Sequence, residues 1–156
     1  MLGPIQAITT CFAKSFQFSG RASRAEFWWF TLFVNVVLLV AFGVFDVWLY
    51  GIDLYDEHSI APATELLCVV MFFPATAVTM RRLHDCGWQG WPAPVVIAGF
   101  YLTSYITMLM KDETWPWISQ LETGLLTLNV VLLIAALFPG KPGHNPYGPN
   151  PNEVPQ

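Results

Sequence analysis

The chain is short of charge. Only 12% of its 156 residues are Asp, Glu, Lys or Arg, whereas 54% are hydrophobic, and the mean hydropathy is +0.48. A water-soluble domain carries about 25% charged residues, because its surface has to be hydrated. The deficit excludes an ordinary soluble domain and indicates that lipid surrounds most of the chain.

The sequence also lacks the motifs of several kinds of site. Its three cysteines, Cys11, Cys68 and Cys86, form no C-x-x-C pair, which argues against a zinc ribbon, a redox centre or a disulfide framework. It contains neither a P-loop nor a G-x-G-x-x-G motif. We therefore expect no cofactor and no bound metal, and we expect no nucleic acid among the partners.

Nothing in the sequence forms a catalytic constellation. His84 and Asp85 are adjacent, so on a helix their side chains point about 100° apart and cannot pair with each other. Ser23 is better placed as a helix cap than as a nucleophile, and Cys86 has no fixed partner. We expect no catalytic residue and predict that the protein is not an enzyme.

What the sequence does contain is four apolar runs long enough for a bilayer core, which needs about 20 helical residues. Before them, apolar residues at steps of three and four from Ile5 to Phe16 predict a short amphipathic helix lying in the interface. We predict an all-α, integral membrane fold with an interfacial segment over 1–26, a four-helix transmembrane domain over 27–138 and a Pro/Gly-rich cytoplasmic tail over 139–156. The predicted spans are 27–50, 61–80, 91–110 and 118–138.

The basic residues predict the orientation. The loop 51–60 contains no Lys or Arg, and Lys111 stands beside Asp112 and Glu113. The other six bases fall on one side of the predicted spans, which the positive-inside rule makes cytoplasmic. We therefore predict a multi-pass protein with both termini in the cytoplasm. The six bases are Lys14, Arg21, Arg24, Arg81, Arg82 and Lys141.

Three stretches carry a family resemblance: FSGRASRAEFWW over 18–29, RRLHDCGWQGW over 81–91 and PGKPGHNPYGP over 139–149. In order and spacing they resemble the bacterial inner-membrane family called domain of unknown function 805 (DUF805). The resemblance implies a bacterial cytoplasmic (inner) membrane location and a compact helical fold. It implies no reaction, substrate or catalytic residue.

All three stretches are predicted on the cytoplasmic side, where their polar residues can converge. One interpretation is a structural network that ties the stretches together, built from Ser23, Glu26, Asp85 and Asn145. The other is a basic cap whose surplus charge binds anionic phospholipid or a partner membrane protein, since arginine suits phosphate. The binding candidates are Arg21, Arg24, Arg81, Arg82, His84 and Tyr147.

Polar residues inside the spans leave a second function open. Carboxylates near the outer ends of spans are expected to reach the interface, or to form the mouth of a cation or proton path with asparagines deeper inside. We expect a non-catalytic membrane protein that binds through the cap. The alternative is a small transporter or channel that works as a homo-oligomer. The candidates for transport are Asp46, Glu65, Glu122, Asn35 and Asn129.

Overall fold

A computed structural model of the chain describes residues 2–52, 61–109 and 116–153. Most of the acidic loop 51–60, Lys111 and the last three residues of the tail lie outside these ranges. The described residues form helices and no strand, which confirms the all-α prediction. The helices are α1 (Pro4–Ala13), α2 (Arg24–Val40), α3 (Pro62–Asp85), α4 (Pro92–Leu109) and α5 (Pro116–Ala135), and α2 continues as a π-helical segment over Ala41–Leu49.

Three helical segments of the described chain are long and apolar enough to cross a membrane: Arg24–Leu49, Pro62–Asp85 and Trp117–Ala135. The third predicted span, 91–110, corresponds to a shorter apolar stretch, Pro92–Ile106. Outer faces of these helices carry exposed apolar side chains, including Leu39 at 71% exposure. An apolar outer surface of this extent requires lipid rather than water around it.

Helices that are neighbours in sequence pack against each other, and α3 lies centrally, in contact with α1, α2 and α4. On α1, the small residues Ala7 and Cys11 are fully buried against the bundle, while Ile5 remains exposed. The Phe12 ring packs edge-on against Phe30 of α2 at a centroid distance of 5.6 Å. The predicted N-terminal helix is therefore present, and its small residues form the face that contacts the bundle.

Asp46 stabilises the beginning of α3 from the neighbouring helix. Its carboxylate accepts hydrogen bonds from the backbone N–H groups of Ala63 and Thr64, both at 2.9 Å, and from the Thr64 hydroxyl at 2.6 Å. Ala61, the residue before α3, has no side chain able to do this. Because the first N–H groups of a helix lack partners within it, this contact satisfies otherwise orphaned donors.

Asp46 is completely buried against the beginning of α3, which binds its carboxylate. It lies in the π-helical segment, where the Tyr50 N–H donates to the Phe45 carbonyl five residues earlier. In a regular α-helix Asp46 and Asn35, eleven residues apart, would lie on the same face. The wider π-helical turn changes the direction of Asp46 relative to Asn35. A long apolar run gives no sign of such a change in helix type.

We predict that Asp46→Ala lowers the free energy of unfolding substantially. It leaves the N–H groups of Ala63 and Thr64 without their acceptor, and each buried unsatisfied donor costs about 1–3 kcal/mol. The measurement is reversible unfolding in bicelles. Glu65→Ala is the matched control, since Glu65 lies in the same first turn and contributes only through the helix dipole, about 0.3–1 kcal/mol. Equal losses in the two variants would refute the capping role.

Candidate functional site

The last turns of α3 and the segments around them form a buried ionic cluster. The Asp85 carboxylate is 1% exposed and bridges two guanidinium groups. Its Oδ1 accepts from Arg21 Nε at 2.8 Å, and its Oδ2 accepts from Arg82 Nη1. One carboxylate therefore joins the segment before α2 to the end of α3. We call Arg21, Arg81, Arg82, Glu26 and Asp85 together the arginine cluster.

Backbone carbonyls accept most of the remaining hydrogen bonds of Arg21 and Arg82; those of Arg21 belong to the tail, and those of Arg82 mostly to the residues just after α5. Arg21 Nη1 donates to the Gly143 carbonyl at 2.7 Å, and Arg82 Nε donates to the Ala136 carbonyl at 3.0 Å. These carbonyls replace the water or anion that a buried guanidinium otherwise needs. No sequence pattern singles out these carbonyls, since every residue has one. The further acceptors are the carbonyls of Lys141, Gly148 and Phe138.

A second buried pair joins α2 to α3. Arg81 Nη1 donates to Glu26 Oε1 at 2.6 Å, and the two side chains are 1% and 5% exposed. Ser23 caps α2 as expected, because its hydroxyl accepts from the Glu26 N–H at 3.2 Å. The Glu26 carboxylate pairs with Arg81 and not with the backbone N–H of Ser23, so the two residues do not form a reciprocal capping box. Arg81 Nη2 is buried and has no partner among the described residues.

The cysteines near the cluster are buried thiols. Burial and the nearby Glu26 carboxylate raise the pKa of Cys11 to about 12, and the Cys11 thiol lies 3.8 Å from Glu26 Oε1. Burial also raises the pKa of Cys86. Both thiols are therefore protonated at neutral pH, which makes them poor nucleophiles and poor metal ligands. The described part of the chain contains no group of three His, Cys, Asp or Glu side chains that could hold a metal ion.

The tail folds back onto the end of α3. The Tyr147 ring stacks on the His84 ring at a centroid distance of 3.9 Å and an interplanar angle of 5°. His84 Nδ1 lies 3.1 Å from the Gly20 carbonyl, to which it donates as a protonated ring nitrogen. Asn145 Nδ2 donates to the His84 carbonyl at 2.9 Å. His84, Tyr147 and Asn145 thus connect all three sequence stretches at one place.

Two cations at this end of the bundle differ from the buried arginines. Arg24 and Lys141 are exposed, and neither side chain makes an ion pair or a hydrogen bond within the described ranges. Lys141 lies across Gly87, where a Cβ would meet its Nζ at 2.6 Å. Gly87 has a φ of +78° and ends α3, a conformation that glycine adopts without strain. The cluster therefore has an exposed basic rim.

Four of the five candidates for transport lie at two neighbouring spaces. Asn35 and Asn129 line one cavity between the helices, whereas Glu65 lines a groove between α3 and α4. Glu122 accepts a hydrogen bond at 2.6 Å from the hydroxyl of Ser104, which lines the same groove. Asp46 is instead used as the cap of α3.

The geometry defines a class: a helical membrane protein with a buried arginine–carboxylate cluster at one end of its bundle. The family model described as "Protein of unknown function (DUF805)" matches residues 15–149, and the chain belongs to this family. The match includes all three sequence stretches, so the resemblance drawn from them is confirmed.

Two relatives from Escherichia coli strain K12 cover most of the chain. The uncharacterized protein YiiR is 32% identical over 142 residues, which is 89% of this chain and 88% of YiiR. The inner membrane protein YhaH is 28% identical over 138 residues, which is 88% of this chain and 89% of YhaH. No solved structure matches the chain. With the apolar helices, these findings identify the chain as an inner-membrane protein in contact with membrane lipid.

We predict that Gly140→Ala disrupts the arginine cluster. A Cβ at Gly140 would overlap the Asp85 carboxylate, so the tail would have to move away from the cluster. Forced overpacking costs about 1–3 kcal/mol. The measurement is the free energy of unfolding in bicelles. Gly124→Ala in α5 is the control, because nothing lies within 4 Å of its Cβ and alanine favours a helix there by about 1 kcal/mol. An unchanged stability of Gly140→Ala would contradict the close approach.

Proposed function

We propose that the protein is a non-catalytic module of the inner membrane that binds anionic phospholipid headgroups through the exposed rim of the arginine cluster. In this proposal α4 also crosses the membrane, as the third of four spans, and the cluster and both termini face the cytoplasm. The observation that carries the proposal is the contrast between three buried arginines with internal partners and two exposed cations without any.

The orientation rests on charge. Six of the seven Lys and Arg residues belong to the segments that meet at the cluster end, and cytoplasmic segments are enriched in these residues. The cytoplasmic leaflet also carries anionic lipid, whose surface potential attracts basic side chains. A basic rim at this level would therefore lie among negatively charged headgroups.

The buried arginines are poor binding groups, because their donors are already in use. Arg21 and Arg82 are each paired with Asp85 and with several carbonyls. A phosphate would have to displace these contacts and enter a site that is about 99% buried at the side-chain level. We assign these arginines, with Glu26 and Asp85, to the architecture of the site.

The donors of Arg24, in contrast, are not in use within the described residues. Arg24 is the first residue of α2, where the helix dipole disfavours a positive charge by about 0.3–1 kcal/mol. No carboxylate in the described structure hydrogen-bonds to it, so its position is unfavourable until an anion arrives. Lys141 contributes a second exposed charge from the tail. A lipid phosphate at this rim would compensate both cations.

We infer no catalysis, since the protonated thiols near the cluster and the stacked His84 provide no activated nucleophile. Transport by an oligomer is the alternative function. Its support is the shared cavity of Asn35 and Asn129, and against it stands the use of Asp46 as the cap of α3.

We predict that Arg24→Gln/Lys141→Gln weakens binding of anionic lipid. Each basic side chain near an anionic surface contributes about 1 kcal/mol, so binding should fall about fivefold for each substitution. The measurement is native mass spectrometry of protein titrated with phosphatidylglycerol, with phosphatidylethanolamine as the zwitterionic comparison. The control is Lys111→Gln, which removes one base that lies between α4 and α5 in the sequence and should leave binding unchanged; each single variant of the pair is the charge-matched comparison for it.

Three outcomes separate the possibilities. Selective loss in the double variant supports the rim as a lipid site. Equal binding by all three proteins would overturn the proposal. Loss of a copurifying protein, with unchanged binding of phosphatidylglycerol, would replace the lipid with a partner protein as the ligand.

A further inference from the structure

A second site lies inside the bundle, away from the arginine cluster. A cavity of 230 Å³ opens between α2, α3, α4 and α5, and its walls are mostly apolar. A cavity of roughly 150 Å³ already accommodates benzene, so this one has room for a ring-sized group. Its polar lining comes from Thr31, Asn35, Thr79, Tyr101 and Asn129.

The two asparagines line this cavity, Asn129 half-buried and Asn35 at its exposed side. Asn35 Nδ2 donates to the Thr31 carbonyl at 2.8 Å, and Asn129 Nδ2 donates to the Leu125 carbonyl at 3.0 Å. Each amide thereby uses a donor within its own helix, and neither Oδ1 accepts a hydrogen bond from another described residue. An amide oxygen inside a membrane requires a donor, because lipid tails offer none.

The depth of the cavity restricts the chemistry of a ligand. Asn35 is eleven residues from the beginning of α2, about 16 Å along a helix that rises 1.5 Å per residue. A charged headgroup at that depth is costly unless it is paired. The cavity lining contains no Asp, Glu, Lys, Arg or His. The ligand must therefore be uncharged and must donate hydrogen bonds.

A groove next to the cavity suits an apolar tail. It has a volume of 600 Å³, lies between α3 and α4, and is lined by Val69, Phe72, Ala98 and Leu102 among others. Tyr101 lines both the cavity and the groove. The two spaces are therefore adjacent at this side chain, and one amphiphile could extend from the cavity past Tyr101 into the groove.

We propose that the bundle binds an uncharged lipid with a hydroxylated ring-sized head, such as a hydroquinone, whose hydroxyl groups donate to Asn35 Oδ1 and Asn129 Oδ1 and whose tail occupies the groove between α3 and α4. The site is independent of the basic rim. It uses two asparagines as acceptors and makes no use of an ion path.

The test compares two probes of nearly the same shape under anaerobic conditions. Decylubiquinol carries two hydroxyl donors, whereas decylubiquinone carries only acceptors at those positions. Native mass spectrometry of protein titrated with each probe gives the apparent affinity. We expect saturable binding of decylubiquinol that is at least about tenfold tighter than binding of decylubiquinone, and we expect the preference to disappear in Asn35→Leu/Asn129→Leu.

Two further variants make the result specific. Thr127→Val in α5 is the matched control, because Thr127 also hydrogen-bonds to its own helix but does not line the cavity. Ala98→Phe fills the groove, and it should weaken decylubiquinol several-fold while leaving a hydroquinone without the tail unaffected.

Equal affinity for quinol and quinone, or binding that does not saturate and is the same in Asn35→Leu/Asn129→Leu, would overturn the proposal. An unfolded asparagine variant would be recognised by its circular dichroism spectrum. The comparison of quinol with quinone on the wild-type protein would then decide the question alone.

Discussion

The structure depends on keeping three guanidinium groups buried at one end of the helix bundle. An arginine cannot be deprotonated in a protein, so each buried guanidinium needs anions or carbonyl oxygens around it. The arginine cluster supplies two carboxylates for three positive charges, tail carbonyls complete the shell of Arg21, and carbonyls just after α5 contribute to that of Arg82. Removing one partner from such a buried pair typically costs 3–5 kcal/mol. The tail is therefore part of the folded domain, because the charges of the helices require it.

Buried polar contacts also hold both ends of α3. At its beginning, Asp46 accepts hydrogen bonds from the first N–H groups. At its end, Asp85 and Arg82 connect the helix to Arg21 and to the carbonyls that follow α5. Since α3 packs against α1, α2 and α4, holding its two ends also holds the bundle. Polar contacts supply specificity here, as apolar helix faces in lipid have little hydrophobic drive to associate.

Apolar runs alone predicted the helices, because a segment that crosses a bilayer has to satisfy its backbone internally. The meeting of Arg21, Arg82, Asp85 and Asn145 also follows from topology, since the stretches that carry them fall on one side. The sequence did not predict which side chain each charged group pairs with. The pairing of Glu26 with Arg81, the burial of Asp46 and the carbonyl shell depend on distances that only a folded chain defines. The π-helical segment left no trace in composition.

The role of Gly140 shows most clearly what the sequence alone does not predict. In the sequence it is one of several glycines in a Pro/Gly-rich tail, and that composition indicates only that a helix does not continue. In the structure it is the glycine of the tail at which a Cβ would overlap the Asp85 carboxylate. A close approach of backbone to a charged side chain is a tertiary contact, and no local pattern encodes it.

Hydrogen–deuterium exchange of the tail in Asp85→Asn tests the central claim most directly. The reporters are the N–H groups of Lys141, Asn145 and Gly148, which are hydrogen-bonded in the folded tail. If the arginine cluster holds the tail, their exchange should accelerate at least about a hundredfold, in line with the loss of a buried ion pair. Wild-type protection of these three amides in Asp85→Asn would contradict the account.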